Sequence, residues 1–186
     1  MASSVVGYWF ARKLDLPGIF SADGSWNRWF VIPLLLGVVC GVLLVLGDLL
    51  FAPIKDFGRF PHPEFPVSIL ASLSAGISEE ILFRGFAFGL WELLLNWLLQ
   101  RLNRRSLVLW VANAIAALAF GAGHLGSLFF LTGASSFAAL NPVLLAEIFL
   151  LNGLIAGERY MKDGLVAAAG VHFWTDVVFH VLWGMC

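Results

Sequence analysis

Two adjacent carboxylates and an arginine stand where a charge is costly: Ser78-Glu79-Glu80-Ile81-Leu82-Phe83-Arg84-Gly85, inside a largely apolar segment running from Val67 to Leu99. A run of that length reads as membrane-spanning. Each charged side chain at the centre of such a helix costs about 2.5–3.5 kcal/mol, so three together require internal pairing and usually a function. On a helix, Glu80 and Arg84 are four apart with the acid N-terminal, the better order for an ion pair. Glu79 is turned about 100° away from Glu80 and has no local partner. The spacing therefore predicts a supporting pair, Glu80 with Arg84, and a free carboxylate, Glu79, available for chemistry. The same three residues are equally compatible with a packing network that carries no reaction, since buried ionic groups also set register and specificity.

Two further pairs recur in other apolar stretches. His172, Asp176 and His180 follow one another at steps of four and so share one helical stripe. A lone histidine on an apolar face is ordinarily a structural residue, but a His and Asp stripe within a membrane must face an interior cavity or itself. His172 and Asp176 could orient one another by a hydrogen bond, whereas His180, nearer the membrane end, reads as interfacial. Phe120 and His124 are also four apart, a weak signal alone. The ordered set is stronger: Glu-Glu-x-x-x-Arg, Phe-x-x-x-His about forty residues on, and His-x-x-x-Asp about fifty after that, each in a different span.

The elements that must position these groups follow from composition. Of 186 residues 60% are hydrophobic and only 12% charged, with a mean hydropathy of +0.89, against about 25% charged in soluble domains. This predicts an all-α, polytopic transmembrane bundle of about five to six spans. Residues 1–30, with Trp9, Trp26 and Trp29, read as an interfacial segment; residues 31–66 hold a first span, to about residue 51, and a loop broken by Pro53, Pro61, Pro63 and Pro66. Asp48 near the end of that span reads as interfacial, and His62 as a loop residue. The segment from Val67 to Leu99 exceeds one perpendicular span and must tilt, bend or run along the interface, with Glu92 approaching the far side. A third span covers residues 107 to about 125, a short or re-entrant helix residues 126–140, a fourth span residues 143–156 with Glu147 and Asn152, and a last span residues 165 to about 183. Loops on one side hold eight Lys and Arg against Lys55 and Arg59 on the other, which predicts a cytoplasmic N-terminus. The net charge of −1 leaves no basic face for nucleic acid. Cys40 and Cys186 form no disulfide framework or CxxC site.

Over roughly residues 67–183, the motifs Glu79-Glu80-x-x-x-Arg84, Phe120-x-x-x-His124 and His172-x-x-x-Asp176 resemble the CPBP family of intramembrane proteases, also called the Abi or type II CAAX prenyl endopeptidase family. The resemblance implies that residues 67–186 form a catalytic helical core with a polar cavity. It further implies peptide-bond hydrolysis by a glutamate-activated water, with no obligatory metal or other cofactor. It maps the catalytic glutamate onto Glu79, the two histidines onto His124 and His172 and the final Asn or Asp onto Asp176, with Glu80, Arg84 and Phe120 as supports. The chemistry agrees with those roles. Glu79 can take a proton from water, a role usually contributing about 10²–10⁴-fold. His124 can hold the same water and later protonate the leaving amine, and a His172 N–H can stabilise the oxyanion. An ionised Asp176 cannot donate, so it must stay protonated or orient His172. The expected substrate is a peptide or membrane-associated protein, and the setting a prokaryotic cell membrane crossed several times. The charge count puts Glu79 and His124 in the external half, while prenyl-processing relatives are expected to serve a cytosolic substrate. Two other readings stand beside this one. Two imidazoles with Glu79 and Asp176 could hold zinc in a metal-dependent protease, although no HExxH is present. A non-enzymatic membrane immunity factor, scaffold or transporter could also use the same fold.

Overall fold

Long apolar runs commit the backbone to helix, because in lipid every N–H and C=O must find its partner within its own segment. The computed structural model describes residues 2–55, 57–99, 104–140 and 152–186, and every regular element among them is helical. In chain order these are α1 (Ala2–Lys13), α2 (Ile32–Phe51), α3 (Val67–Leu99), α4 (Arg105–Gly123), α5 (Leu125–Thr132), α6 (Asn152–Asp163) and α7 (Leu165–Asp176). Among the described residues, four stretches are long and apolar enough to cross a bilayer: Asn27–Ile54, Val67–Leu99, Arg105–Thr132 and Leu165–Met185. The chain is an all-helical integral membrane protein. Residues 141–151, which hold most of the expected fourth span and its Glu147, lie outside the described residues, as does Arg101.

Small residues let α7 pack at close range on its neighbours. A Cβ placed on Gly37 or Gly41 of α2 would lie 2.6 Å from the Val171 carbonyl or 2.8 Å from that of Thr175. Backbone approach of this kind is what holds helices together when lipid removes the hydrophobic drive. The Thr175 hydroxyl adds a 3.2 Å bond to the Gly37 carbonyl. On the opposite side α1 meets α3 at Gly7, where a Cβ would come 2.8 Å from the Gly85 carbonyl carbon, and it buries Phe10 and Ala11.

Two helices loosen directly after the residues of interest. The middle of α3 is π-helical over Ile81–Phe88, beginning one residue after Glu80, and α7 runs into a π-helical stretch, Val177–Leu182, one residue after Asp176. Such insertions widen the helix and cluster at functional sites.

The connection between α2 and α3 is a strap rather than a free loop. Asp48, expected at the interface, is fully buried. Its Oδ1 accepts from Lys55 Nζ and, at 3.0 Å, from the Phe60 N–H, and its Oδ2 accepts from Trp183 Nε1 at 3.0 Å. The prolines keep this segment out of helix, so its donors turn to Asp48, and it folds over the end of α7. Asp48→Asn removes the carboxylate from buried Lys55 and should destabilise by about 3–5 kcal/mol, the usual cost of halving a buried ion pair. The measurement is the midpoint of thermal unfolding in detergent. A midpoint within error of wild type would show that the strap is held by other contacts.

Candidate active site

A cavity of about 400 Å³ opens between α2, α3, α4, α5, α7 and the strap. Glu79, His124, His172 and Asp176 all line it, with Phe120 between them. Four polar side chains from three separate helices thus share one space. Glu79 is half-buried, and its Oε2 is enclosed with no hydrogen-bond partner among the described residues.

Glu80 and Arg84 stand behind this wall, both fully buried. Glu80 Oε1 lies 2.9 Å from Arg84 Nη1 and accepts from His172 Nδ1 at 2.9 Å. Arg84 Nη2 donates to the Gly153 carbonyl at 2.9 Å, and the guanidinium lies 4.8 Å from the centroid of the Phe120 ring. Phe120 in turn meets His124 and His172 edge-on, with ring centroids 4.9 and 5.3 Å away. The pair that neutralises charge on α3 therefore also fixes the imidazole of α7, and one aromatic ring spaces the two histidines.

These bonds set which ring nitrogen is free. His124 sits at the junction of α4 and α5, and its Nδ1 donates to the Phe120 carbonyl at 2.9 Å, which leaves Nε2 as the nitrogen able to meet water. His172 spends Nδ1–H on Glu80 and turns Nε2 toward Asp176, with Oδ2 3.6 Å away. That separation is beyond a hydrogen bond. The expected mutual orientation of His172 and Asp176 is replaced by a bond to Glu80 from another helix. Consequently His172 can donate from Nε2 only as imidazolium.

Two further positions are enclosed by protein. His180, which reads as interfacial, lines the cavity one turn beyond Asp176, where the strap lies against that end of the last span. Its Nδ1 lies 3.0 Å from His62 Nδ1. Glu92, expected to approach the far interface, is fully buried. Sequence reasoning had no means of joining His62 to His180, which are 118 positions apart.

Burial pushes the His62 ring below the usual histidine range; Arg59 acts in the same direction, while Asp48 opposes it. The folded protein thus favours the neutral ring. Its contribution to stability is complete above the ordinary histidine value of about 6.5 and is lost as pH falls from there toward the lowered native value. Acidification from about pH 7.5 to about pH 5.5 should therefore lower the unfolding midpoint, and His62→Gln should shrink that drop. An unchanged pH dependence in the variant would remove His62 as its source.

Residues 61–178, more than half of the chain, match the family described as type II CAAX prenyl endopeptidase Rce1-like. The matched region contains Glu79, Glu80, Arg84, Phe120, His124, His172 and Asp176. No curated protein and no solved structure matched the chain. With its three motifs brought to one cavity inside a helical membrane protein, the chain belongs to the Rce1-like type II CAAX prenyl endopeptidase family.

Proposed function

We propose that this membrane endopeptidase hydrolyses peptide bonds with a water activated by Glu79. The observation that carries the reading is the Oε2 of Glu79, without a hydrogen-bond partner among the described residues, inside a cavity shared with His124, His172 and Asp176. Glu79 takes a proton from water as the hydroxide oxygen adds to the scissile carbonyl carbon. Negative charge then develops on the carbonyl oxygen, where the His172 imidazolium donates from Nε2, its other N–H held by Glu80. The intermediate collapses as the C–N bond breaks, and the proton taken by Glu79 passes through His124 Nε2 to the leaving amine. Asp176, with Oδ2 3.6 Å from His172 Nε2, is a neighbour of that donor in the same space. Glu80, Arg84 and Phe120 are positioning residues.

The substrate fitting this reading is a peptide segment of a membrane-associated protein, and membership of a CAAX prenyl endopeptidase family points first to a prenylated C-terminal motif. We also retain a cytoplasmic N-terminus. Lys55, one of two basic residues on the opposite side, is buried against Asp48, which leaves Arg59 as that side's outward cation. Metal-dependent hydrolysis is the rival. Among the described residues no three His, Cys, Asp or Glu side chains are grouped as metal ligands would be.

The test is cleavage of a quenched fluorescent prenylated peptide by purified protein in proteoliposomes, with and without prior stripping by a strong chelator. Cleavage that survives chelation is expected. Loss of cleavage on stripping, restored by zinc in the wild type and equally in His62→Gln, would replace the glutamate-water mechanism with the metal one.

A further inference from the structure

We propose that His62 and His180 form a binding site for one divalent transition-metal ion at the mouth of the cavity, an inference independent of the catalytic reading. The two rings come from the strap and from the π-helical end of α7, and their Nδ1 atoms are 3.0 Å apart. Imidazole nitrogens each held about 2.0–2.1 Å from one ion stand roughly 2.9–3.4 Å apart for ligand angles between octahedral and tetrahedral. The pair is therefore already at ligand spacing. Both rings are fixed by packing rather than by other polar contacts. Phe179 meets each edge-on with centroids 4.9 Å away, and the His62 Cβ is so close to Gly184 that a Cβ there would lie 2.8 Å from it.

Chemistry and charge suit a cation. Between two neutral imidazoles only one N–H···N bond can form. An ion bound through both Nδ1 atoms replaces that single bond with two ligand bonds, each ring remaining neutral with its hydrogen on Nε2. His180 faces the cavity, so water can complete the coordination. Among the described residues, the lining carries the carboxylates of Glu79 and Asp176 and includes no Lys or Arg. The nearby cations are engaged elsewhere, Lys55 by Asp48 and Arg59 over the Trp183 ring at 4.8 Å. Imidazole ligands favour zinc, copper and nickel over calcium or magnesium. With two protein ligands the site is weaker than a structural zinc centre, and its occupancy ties the strap to α7.

The experiment is titration of chelator-stripped full-length protein in detergent with nickel or zinc chloride, followed by calorimetry and by the unfolding midpoint. One ion per chain and a raised midpoint are expected. Loss of a supporting partner already weakens metal sites by 10–100-fold, so His62→Gln and His180→Gln should each weaken binding at least about tenfold. Glu79→Gln and His124→Gln should leave it within a few-fold. Absence of saturable binding, insensitivity to His62→Gln, or loss of binding in Glu79→Gln would each overturn the site, the last by moving the ion to the catalytic carboxylate. Should a histidine variant fail to fold, the copper(II) electron paramagnetic resonance spectrum of His124→Gln decides, because that variant breaks the other imidazole pair in the cavity. Coupling to two imidazole nitrogens upholds the site, and fewer than two refutes it.

Discussion

Glu79→Gln is expected to abolish peptide cleavage while leaving expression, detergent extraction and unfolding midpoint close to wild type. The substitution keeps the shape of the side chain and removes only its ability to hold a proton taken from water. General-base catalysis contributes about 10²–10⁴-fold, or about 2.7–5.5 kcal/mol of barrier. The fold should tolerate the change because, among the described residues, Glu79 is in no buried ion pair and its Oε2 is without a hydrogen-bond partner, while the charge of Arg84 is met by Glu80. With Glu79 replaced, Arg84 keeps its ion pair with Glu80. The rate is read with the quenched peptide, and the folded fraction by gel filtration in the same detergent. A rate within tenfold of wild type would take Glu79 out of the base role, whatever the other residues do.

Periodicity and charge made much of the fold legible. Apolar runs of 20 residues or more could only be spans, and helices occupy all four stretches long enough to cross. The step of four between Glu80 and Arg84 placed them on one face before any coordinates, and they stand 2.9 Å apart. Contacts between elements were not legible. The bond from Glu80 to His172 joins residues 92 positions apart, and nothing in either local pattern favours it over a bond within the His172 and Asp176 stripe. The π-helical stretches were equally invisible, because they arise from tertiary accommodation and carry no propensity signal of their own. Asp48 and His180 both end up against the strap for one shared reason. A proline-rich connection reads as exposed loop, whereas here it doubles back as a strap and buries the end of α7.

The second large effect separates Glu80 from its immediate neighbour. Arg84→Ala leaves the Glu80 carboxylate buried with His172 as its remaining partner, and it also removes the bond to the Gly153 carbonyl and the contact with the Phe120 ring. Breaking a buried pair from one side costs about 3–5 kcal/mol, a large part of the 5–15 kcal/mol that holds a typical domain together. Folded yield and unfolding midpoint should both collapse. Glu80→Gln should behave alike, since its amide oxygen can still accept from His172 but the guanidinium of Arg84 loses its counter-charge. Replacing both residues by apolar side chains of similar volume, Glu80→Leu with Arg84→Met, should recover much of the yield, because removing a whole buried pair is often neutral. Cleavage should not recover with it. His172 would then have no acceptor at Nδ1, its ring would be free to turn, and the donor expected at the developing oxyanion would no longer be aimed. A double variant that folds and cleaves at the wild-type rate would make the Glu80 and Arg84 pair a packing device alone. One that folds and is inactive identifies orientation of His172 as the second duty of the pair.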